Sequence, residues 1–371
     1  MTKTAKIVVA IVVLVLVVWG FSAYKKQPQA TGEPIKIGVI GPFTGSQANY
    51  GEGVKEGIEL AFSEFENSTI NGSKIQLIYE DTAGEVKNAI SAAQKLIDID
   101  KVGALVSAGA SQEAVALIPV AEQSKVSLIA SVSQAPELSD AGDFIFRMMP
   151  NIDGLAVKAA DLALEKGKRA ATITANYNQA TLSAEKAFVD EFTKNGGTVV
   201  AQEQFQKGTG DFRTNLSNIN IKSVDVVFLN GLTIDASLIL KQKQEMKFSW
   251  AVVGQGAVED QKVIETAPKG SEGVVFATYN AVPPQKFVDA IKKKYGTEPK
   301  RWNIEGYETF KFLVAGLQKA KTFDPPGIQT GLAQVRQISG VTGLLYFDEK
   351  GNISRPVFVK IIKDGKFEEI K

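Results

Sequence analysis

The chain has 371 residues, 42 basic against 41 acidic, with neither histidine nor cysteine. That composition removes Ser-His-Asp triads, cysteine nucleophiles, imidazole and thiolate metal centres, and disulfides. A formal charge of +1 leaves no basic field for nucleic acid, and 44% hydrophobic with 22% charged residues is ordinary for a globular chain.

Lys3 and Lys6 precede an uncharged stretch that opens Ile7-Val-Val-Ala-Ile-Val-Val-Leu-Val-Leu-Val-Val18 and closes with Trp19, Phe21 and Tyr24. As a helix, residues 7–24 would rise about 27 Å, close to the thickness of a bilayer core. Trp19 and Tyr24 suit an interface. Residues 1–24 are therefore expected to form an N-terminal membrane anchor, with a cleaved signal peptide as the alternative. A lipoprotein cut needs a cysteine, and either reading exports the rest of the chain. Residues 25–34, including Gln27-Pro-Gln-Ala-Thr-Gly-Glu-Pro34, read as a polar tether.

Beyond the tether, short β-branched runs alternate with amphipathic stretches. Ile35–Ile40, Ile75–Tyr79, Ala104–Ser107 and Ser127–Ala130 read as strands. A second series comes at Ala170–Thr174, Thr198–Ala201, Val224–Leu229, Trp250–Val253 and Gly273–Ala277. Helices are expected at Gly51–Glu66, Val86–Ile99, Gln112–Gln123, Leu155–Lys166 and Ser183–Lys194. In the first of them Val54, Ile58, Ala61, Phe62 and Phe65 recur at helical spacing and define a buried face. Apolar strands separated by single helices imply parallel sheets covered on both faces. The fold class is α/β, with two doubly wound lobes. In such sheets a ligand sits beyond the carboxyl ends of the strands, where helix N-termini converge. The segments there are Gly41-Pro-Phe-Thr-Gly45, Ser107-Ala-Gly-Ala-Ser111 and Ala130-Ser-Val-Ser-Gln-Ala-Pro136, all small and hydroxyl-rich. They suit a carboxylate or another polar oxygen.

A nicotinamide site is a poor fit. Gly38, Gly41 and Gly45 do not make G-x-G-x-x-G, and Pro42 occupies the phosphate turn. There is no phosphate-loop lysine motif and no G-x-S-x-G. A Ser–Lys hydrolase is not removed by composition alone, but no cofactor, metal or catalytic residue is expected.

Gly41-Pro-Phe-Thr-Gly-Ser-Gln-Ala-Asn-Tyr-Gly51 resembles the G-P-x-(S/T)-G-x-x-A-x-x-G opening of the branched-chain amino acid binding family, the type I periplasmic binding proteins that serve ABC importers. Tyr79-Glu-Asp-Thr82, Ser111 with Pro119-Val-Ala-Glu122, and Ser131-Val-Ser-Gln-Ala-Pro-Glu-Leu138 come in that family's order. So do Asp211-Phe212, Asn230-Gly231, Glu305-Gly-Tyr307 and Phe347-Asp-Glu-Lys-Gly351. The resemblance runs from about residue 35 to the C-terminus. It implies two lobes joined by three crossovers: residues 35–152 plus 280–351 in lobe 1, and 153–279 plus 352–371 in lobe 2. Pro150, Pro283-Pro284 and Gly351 fall near the expected hinges.

The resemblance also implies a ligand set of Tyr50, Ser111, Gln112, Val132, Ser133, Gln134, Ala180, Leu232, Gln255 and Trp302. Ser111 would offer hydroxyl and backbone N–H to a ligand oxygen, or would only cap its helix. Val132 would offer a carbonyl, Tyr50 a wall or a hydrogen bond, and Trp302 an aromatic face or hinge packing. The sequence departs from the family at Gln134, which replaces a threonine, and at Ala180 and Leu232, which replace aromatics. Gln255-Gly256 stands where the family places the acid that pairs with a ligand ammonium. An α-ammonium buried without that partner would cost several kcal/mol, so an amide or carboxylic acid becomes as suitable as an amino acid. The expected function is capture of a small polar solute for an ABC permease, by a monomer. A sensor reporting to a membrane partner is the alternative.

Overall fold

The structure, a computed structural model, describes residues 32–66, 68–279, 282–300 and 302–370. The anchor and most of the tether expected from the sequence lie outside them. In chain order the first body begins β1 (Ile35–Gly41), α1 (Ala48–Phe65), β2 (Ile75–Asp81), α2 (Val86–Asp98), β3 (Ala104–Ser107), α3 (Ser111–Ser124), β4 (Ser127–Ala130) and β5 (Ile145–Arg147). The second continues α4 (Asp153–Lys166), β6 (Arg169–Ala175), α5 (Gln179–Lys194), β7 (Thr198–Phe205), α6 (Arg213–Asn220), β8 (Val226–Asn230), α7 (Thr233–Glu245), β9 (Ala251–Gln255), α8 (Gln261–Thr266) and β10 (Val275–Thr278). Then come α9 (Gln285–Tyr295), α10 (Asn303–Lys319), α11 (Pro325–Leu332), β11 (Gln337–Ser339), β12 (Leu344–Phe347), β13 (Ile353–Ser354), β14 (Phe358–Lys363) and β15 (Lys366–Ile370).

The first sheet is parallel throughout, in the order β2-β1-β3-β4-β5. The second runs β15-β14-β10-β9-β8-β6-β7, parallel except for its antiparallel edge hairpin β14-β15. A small antiparallel sheet, β11-β12-β13, stands apart from both. Both large sheets are covered on two faces, as continuous apolar strands require. In the first, Ile37, Val39, Val106 and Ile129 face α1 and α10, while Ile40, Leu105 and Leu128 face α2 and α3. In the second, Ile173, Val227, Leu229 and Val252 pack towards α6 and α7. Phe228, on the other face, stacks on Phe188 of α5 with ring centroids 4.4 Å apart.

Helices α1 and α10 approach so closely that glycine is required on both. A Cβ at Gly57 would meet the Asn303 carbonyl oxygen at 2.0 Å, and one at Gly306 would meet that of Val54 at 2.1 Å. Val54, Ile58 and Ala61 are buried as the helical spacing predicts, with Phe62 and Phe65 half-buried against the same core.

Three segments carry the chain between the bodies. The first comes after β5, where Met148 and Met149 are buried. The second comes after β10, where the Tyr279 hydroxyl donates to the Asn151 carbonyl of the first at 2.8 Å. The third lies beyond β13, which still pairs with β12, so the chain crosses at about Arg355 and not at Gly351. Arg355 ties that crossing down: Nε donates to the Met148 carbonyl at 3.1 Å and Nη2 meets buried Glu308 at 2.6 Å. The strands expected from the sequence are all present, β3 and β4 with the expected ends and the others with one or both ends shifted. Short β5, the small sheet and the β14-β15 hairpin are not legible in it.

Candidate functional site

Both large sheets reverse their winding between neighbouring strands: the first between β1 and β3, the second between β6 and β8. Loops leaving such a point diverge and open a crevice at the carboxyl ends of the strands. The two crevices face each other. The space between them, about 400 Å³ unfilled by protein atoms including its mouth, is lined by Tyr50, Ala110, Ser111, Val132, Gln134, Ile152 and Trp302 from the first-body side. Asn178, Ala180, Thr181, Gly231, Leu232, Gln255 and Ala257 line it from the second.

Of the residues that the resemblance implies, Tyr50, Ser111, Val132, Gln134, Ala180, Leu232, Gln255 and Trp302 line this one cavity. Gln112 and Ser133 flank the cavity without lining it. Ser133 Oγ donates to Ser111 Oγ at 3.1 Å, and Gln112 reaches across the cleft. Asn178, Thr181 and Ala257 are additional wall residues. Asn178 could have been anticipated as a cap at the start of α5, where its side chain accepts from the Ala180 N–H at 2.9 Å.

The loop after β1 is shaped by Asp81 at the end of β2. Its carboxylate accepts from Phe43 N at 2.8 Å, Thr44 N at 3.2 Å, Thr44 Oγ1 at 2.5 Å and Ala83 N at 3.0 Å. Partial burial opposes its charge, but these donors prevail and hold its pKa below the ordinary value. That places Tyr50, buried and stacked on Trp302 with ring centroids 5.5 Å apart. Trp302 sits at φ +75°, a left-handed conformation costly for a bulky residue, just ahead of α10.

Ser111 is the first residue of α3 and not its cap; Ala110 holds that position and no side chain caps the helix. Its hydroxyl oxygen accepts from Gln134 N at 3.3 Å as well as from Ser133. Of the two readings of Ser111 left open by the sequence, a plain helix cap is not the one observed. Two positions along the helix, Glu113 is buried, and burial pushes its carboxyl above the ordinary carboxylate value.

On the opposite wall, Gln255 Nε2 donates to Asn230 Oδ1 at 3.1 Å. Asn230 Nδ2 in turn donates to the Thr181 carbonyl at 2.7 Å and to Thr174 Oγ1 at 3.3 Å. Leu232 is positioned by Asp235, whose Oδ2 accepts from Leu232 N at 3.0 Å and from the Tyr177 hydroxyl at 2.6 Å. Desolvation raises the Asp235 pKa, against the pull of those two donors.

Hydrogen bonds join the walls directly, so the cleft is closed. Asn178 Nδ2 donates to Gln112 Oε1 at 3.0 Å, and Asn49 Nδ2 to Asp260 Oδ2 at 3.0 Å. Lys207 Nζ donates to the Gly84 carbonyl at 3.0 Å and pairs with Glu85 at 2.8 Å. Among the described residues no group of acidic side chains is arranged to hold a metal, and no helix is long and apolar enough to cross a membrane.

The sequence profile described as periplasmic binding protein matches residues 34–366. An amino acid binding protein of Pseudomonas aeruginosa is 27% identical over 350 residues, 91% of this chain and 92% of that protein. A leucine binding protein from Thermotoga maritima superposes with a TM-score of 0.85 at 28% identity, over 91% of this chain and 98% of that one. An ABC transporter solute binding protein from Rhodopseudomonas palustris, solved with 3,4-dihydroxybenzoic acid, superposes with a TM-score of 0.83 at 25% identity, over 91% and 96%. The chain belongs to the periplasmic binding protein family, whose members are extracytoplasmic solute-binding proteins and not enzymes.

Proposed function

We propose that this protein is the extracytoplasmic receptor of an ABC importer, closing over a small polar solute and delivering it to a membrane permease. The observation that carries this reading is the cavity between two opposed switch points, walled from both bodies and bridged by direct hydrogen bonds. A ligand touching both walls favours the closed arrangement by its extra affinity for that arrangement alone. We assign the contacts to Tyr50, Ser111, Val132, Gln134, Ala180, Leu232, Gln255 and Trp302, with Gln112 and Ser133 supporting them. The moving units are residues 35–152 plus 280–351 and residues 153–279 plus 352–371, with the last boundary displaced towards Arg355. The protein acts as a monomer, held at the membrane by residues 1–24 and the tether 25–34. Its relatives are binding and transport proteins, so signalling to a membrane partner is not favoured.

Small-angle scattering tests closure. The emptied protein should have a larger radius of gyration than the same sample saturated with the solute extracted from it. An unchanged radius would remove the closing mechanism. N-terminal sequencing of the mature protein that began within residues 20–32 would overturn the tether.

A further inference from the structure

The hydrogen-bond directions at the two walls are fixed, and they specify the charge of the ligand. On the second wall the Thr181 backbone carbonyl can only accept, so Asn230 must present Nδ2 to it at 2.7 Å. That turns Asn230 Oδ1 towards Gln255, which must donate with Nε2 at 3.1 Å. Gln255 Oε1 is then left as an acceptor on the cavity wall, with no bond to another described residue.

The first wall is the mirror case. The Gln134 backbone N–H can only donate and occupies one lone pair of Ser111 Oγ, while the Ser133 hydroxyl occupies the other. The hydrogen of Ser111 is therefore free to donate into the cavity. Gln134 adds a carboxamide tied to no described residue, able to supply either role. No Asp, Glu, Lys or Arg is among the residues lining the cavity.

We infer that the cleft selects an uncharged carboxamide-class solute, its carbonyl towards Ser111 and its N–H towards Gln255. The inference rests on the receptor reading and narrows it. A zwitterionic amino acid would bury its ammonium against a neutral acceptor with no counter-charge. A carboxylate would be served by Ser111, but it has no N–H to offer Gln255 Oε1, leaving that acceptor unpaired or facing another oxygen. An amide carries acceptor and donor on separate atoms and satisfies both walls.

The test is a calorimetric panel on the emptied full-length protein, three charge forms on each of three skeletons. These are acetamide, acetate and glycine; 4-methylpentanamide, 4-methylpentanoate and leucine; and phenylacetamide, phenylacetate and phenylglycine. On at least one skeleton the amide should bind at least tenfold tighter than its two partners. Gln255→Glu should lose that amide by at least tenfold and gain the matching amino acid by at least tenfold. Equal or tighter binding of the carboxylate or zwitterion on every skeleton overturns the inference. So does the absence of binding by any amide, or a Gln255→Glu protein that keeps the amide preference. Should the variant melt below the assay temperature, the wild-type panel decides alone. The receptor reading fails separately, if protein as purified carries no solute and no compound of any class changes its radius of gyration.

Discussion

The two walls of the cleft achieve the same end by different means. The first is built close to the backbone: a serine at the start of α3, a strand-end segment bearing Val132 and Gln134, and a tyrosine stacked on a tryptophan. The second is built from side-chain amides relayed inward from Gln255 through Asn230 to the Thr181 carbonyl. By the resemblance, the first wall departs from the family's pattern at Gln134, and the second at Ala180, Leu232 and Gln255. A backbone-anchored wall tolerates little drift, because moving Ser111 means moving a helix. An amide relay keeps its geometry while one terminal side chain changes, so a family can vary specificity on that side. The cost is dependence on a single buried residue, Asn230, fully removed from solvent.

The largest expected effect arises from that dependence. Asn230→Leu would leave Thr174 Oγ1 and Gln255 Nε2 without partners in a buried site, costing about 2–6 kcal/mol of stability at about 1–3 per orphaned group. Thermal melting should fall, and solute affinity measured well below the new midpoint should drop more than tenfold as Gln255 loses its orientation. An unchanged melting temperature would mean that the relay is not what holds the wall. The first wall should answer differently. Ser111→Ala removes a hydroxyl that does not cap its helix but accepts from the Gln134 N–H and the Ser133 hydroxyl, so melting should fall as those donors lose their acceptor, and affinity, measured where the variant is fully folded, should fall by about 1–3 kcal/mol, roughly tenfold to hundredfold. A large melting shift with affinity intact would sink the assignment of Ser111 as a contact.

The smallest effect belongs to one of the bonds that join the walls, from Asn178 to Gln112. Asn178→Ala deletes the cross-cleft donor to Gln112 and also the acceptor that caps α5, each worth about 1 kcal/mol. Because the Gln112 bond exists only when the walls meet, its loss should appear as a faster off-rate, about fivefold, and a radius of gyration shifted towards the open form. The cap contributes to melting alone. An off-rate unchanged while melting falls would show that Asn178 serves its helix and not closure.

How much of this was readable from residue order differs between the walls. Residues that begin helices or end strands were legible: Ser111, Val132 and Gln134 sit where β-branched runs give way to small polar segments, and strand-then-helix alternation fixes that end as the ligand side, whereas Tyr50 came only through the resemblance. Trp302 and Gln255 were reachable only through resemblance, since nothing in their local pattern distinguishes them. The roles of Asn178 and Asn230 were not legible. Asparagine is common at caps and turns, and only a three-dimensional neighbour reveals a relay. Short β5, the small sheet and the β14-β15 hairpin escaped because a strand of a few residues, or an edge strand with polar positions, leaves little periodicity to read.

The sequence by itself determined the class of fold and the absence of imidazole and thiolate chemistry. Composition and the spacing of apolar residues are local quantities, and they survive without coordinates. Through the resemblance it also pointed to Gln255 standing where the family places an acid. Only the tertiary structure decided what that difference means. Whether Gln255 presents an oxygen or a nitrogen to the cavity is set by Asn230, and Asn230 is set by a carbonyl on α5 far away in the chain. Likewise Ser111 reads as a cap from its position, and only the strand-end segment folding over it shows both lone pairs taken. Hydrogen-bond direction is a property of a network, and a network exists only once the chain has folded.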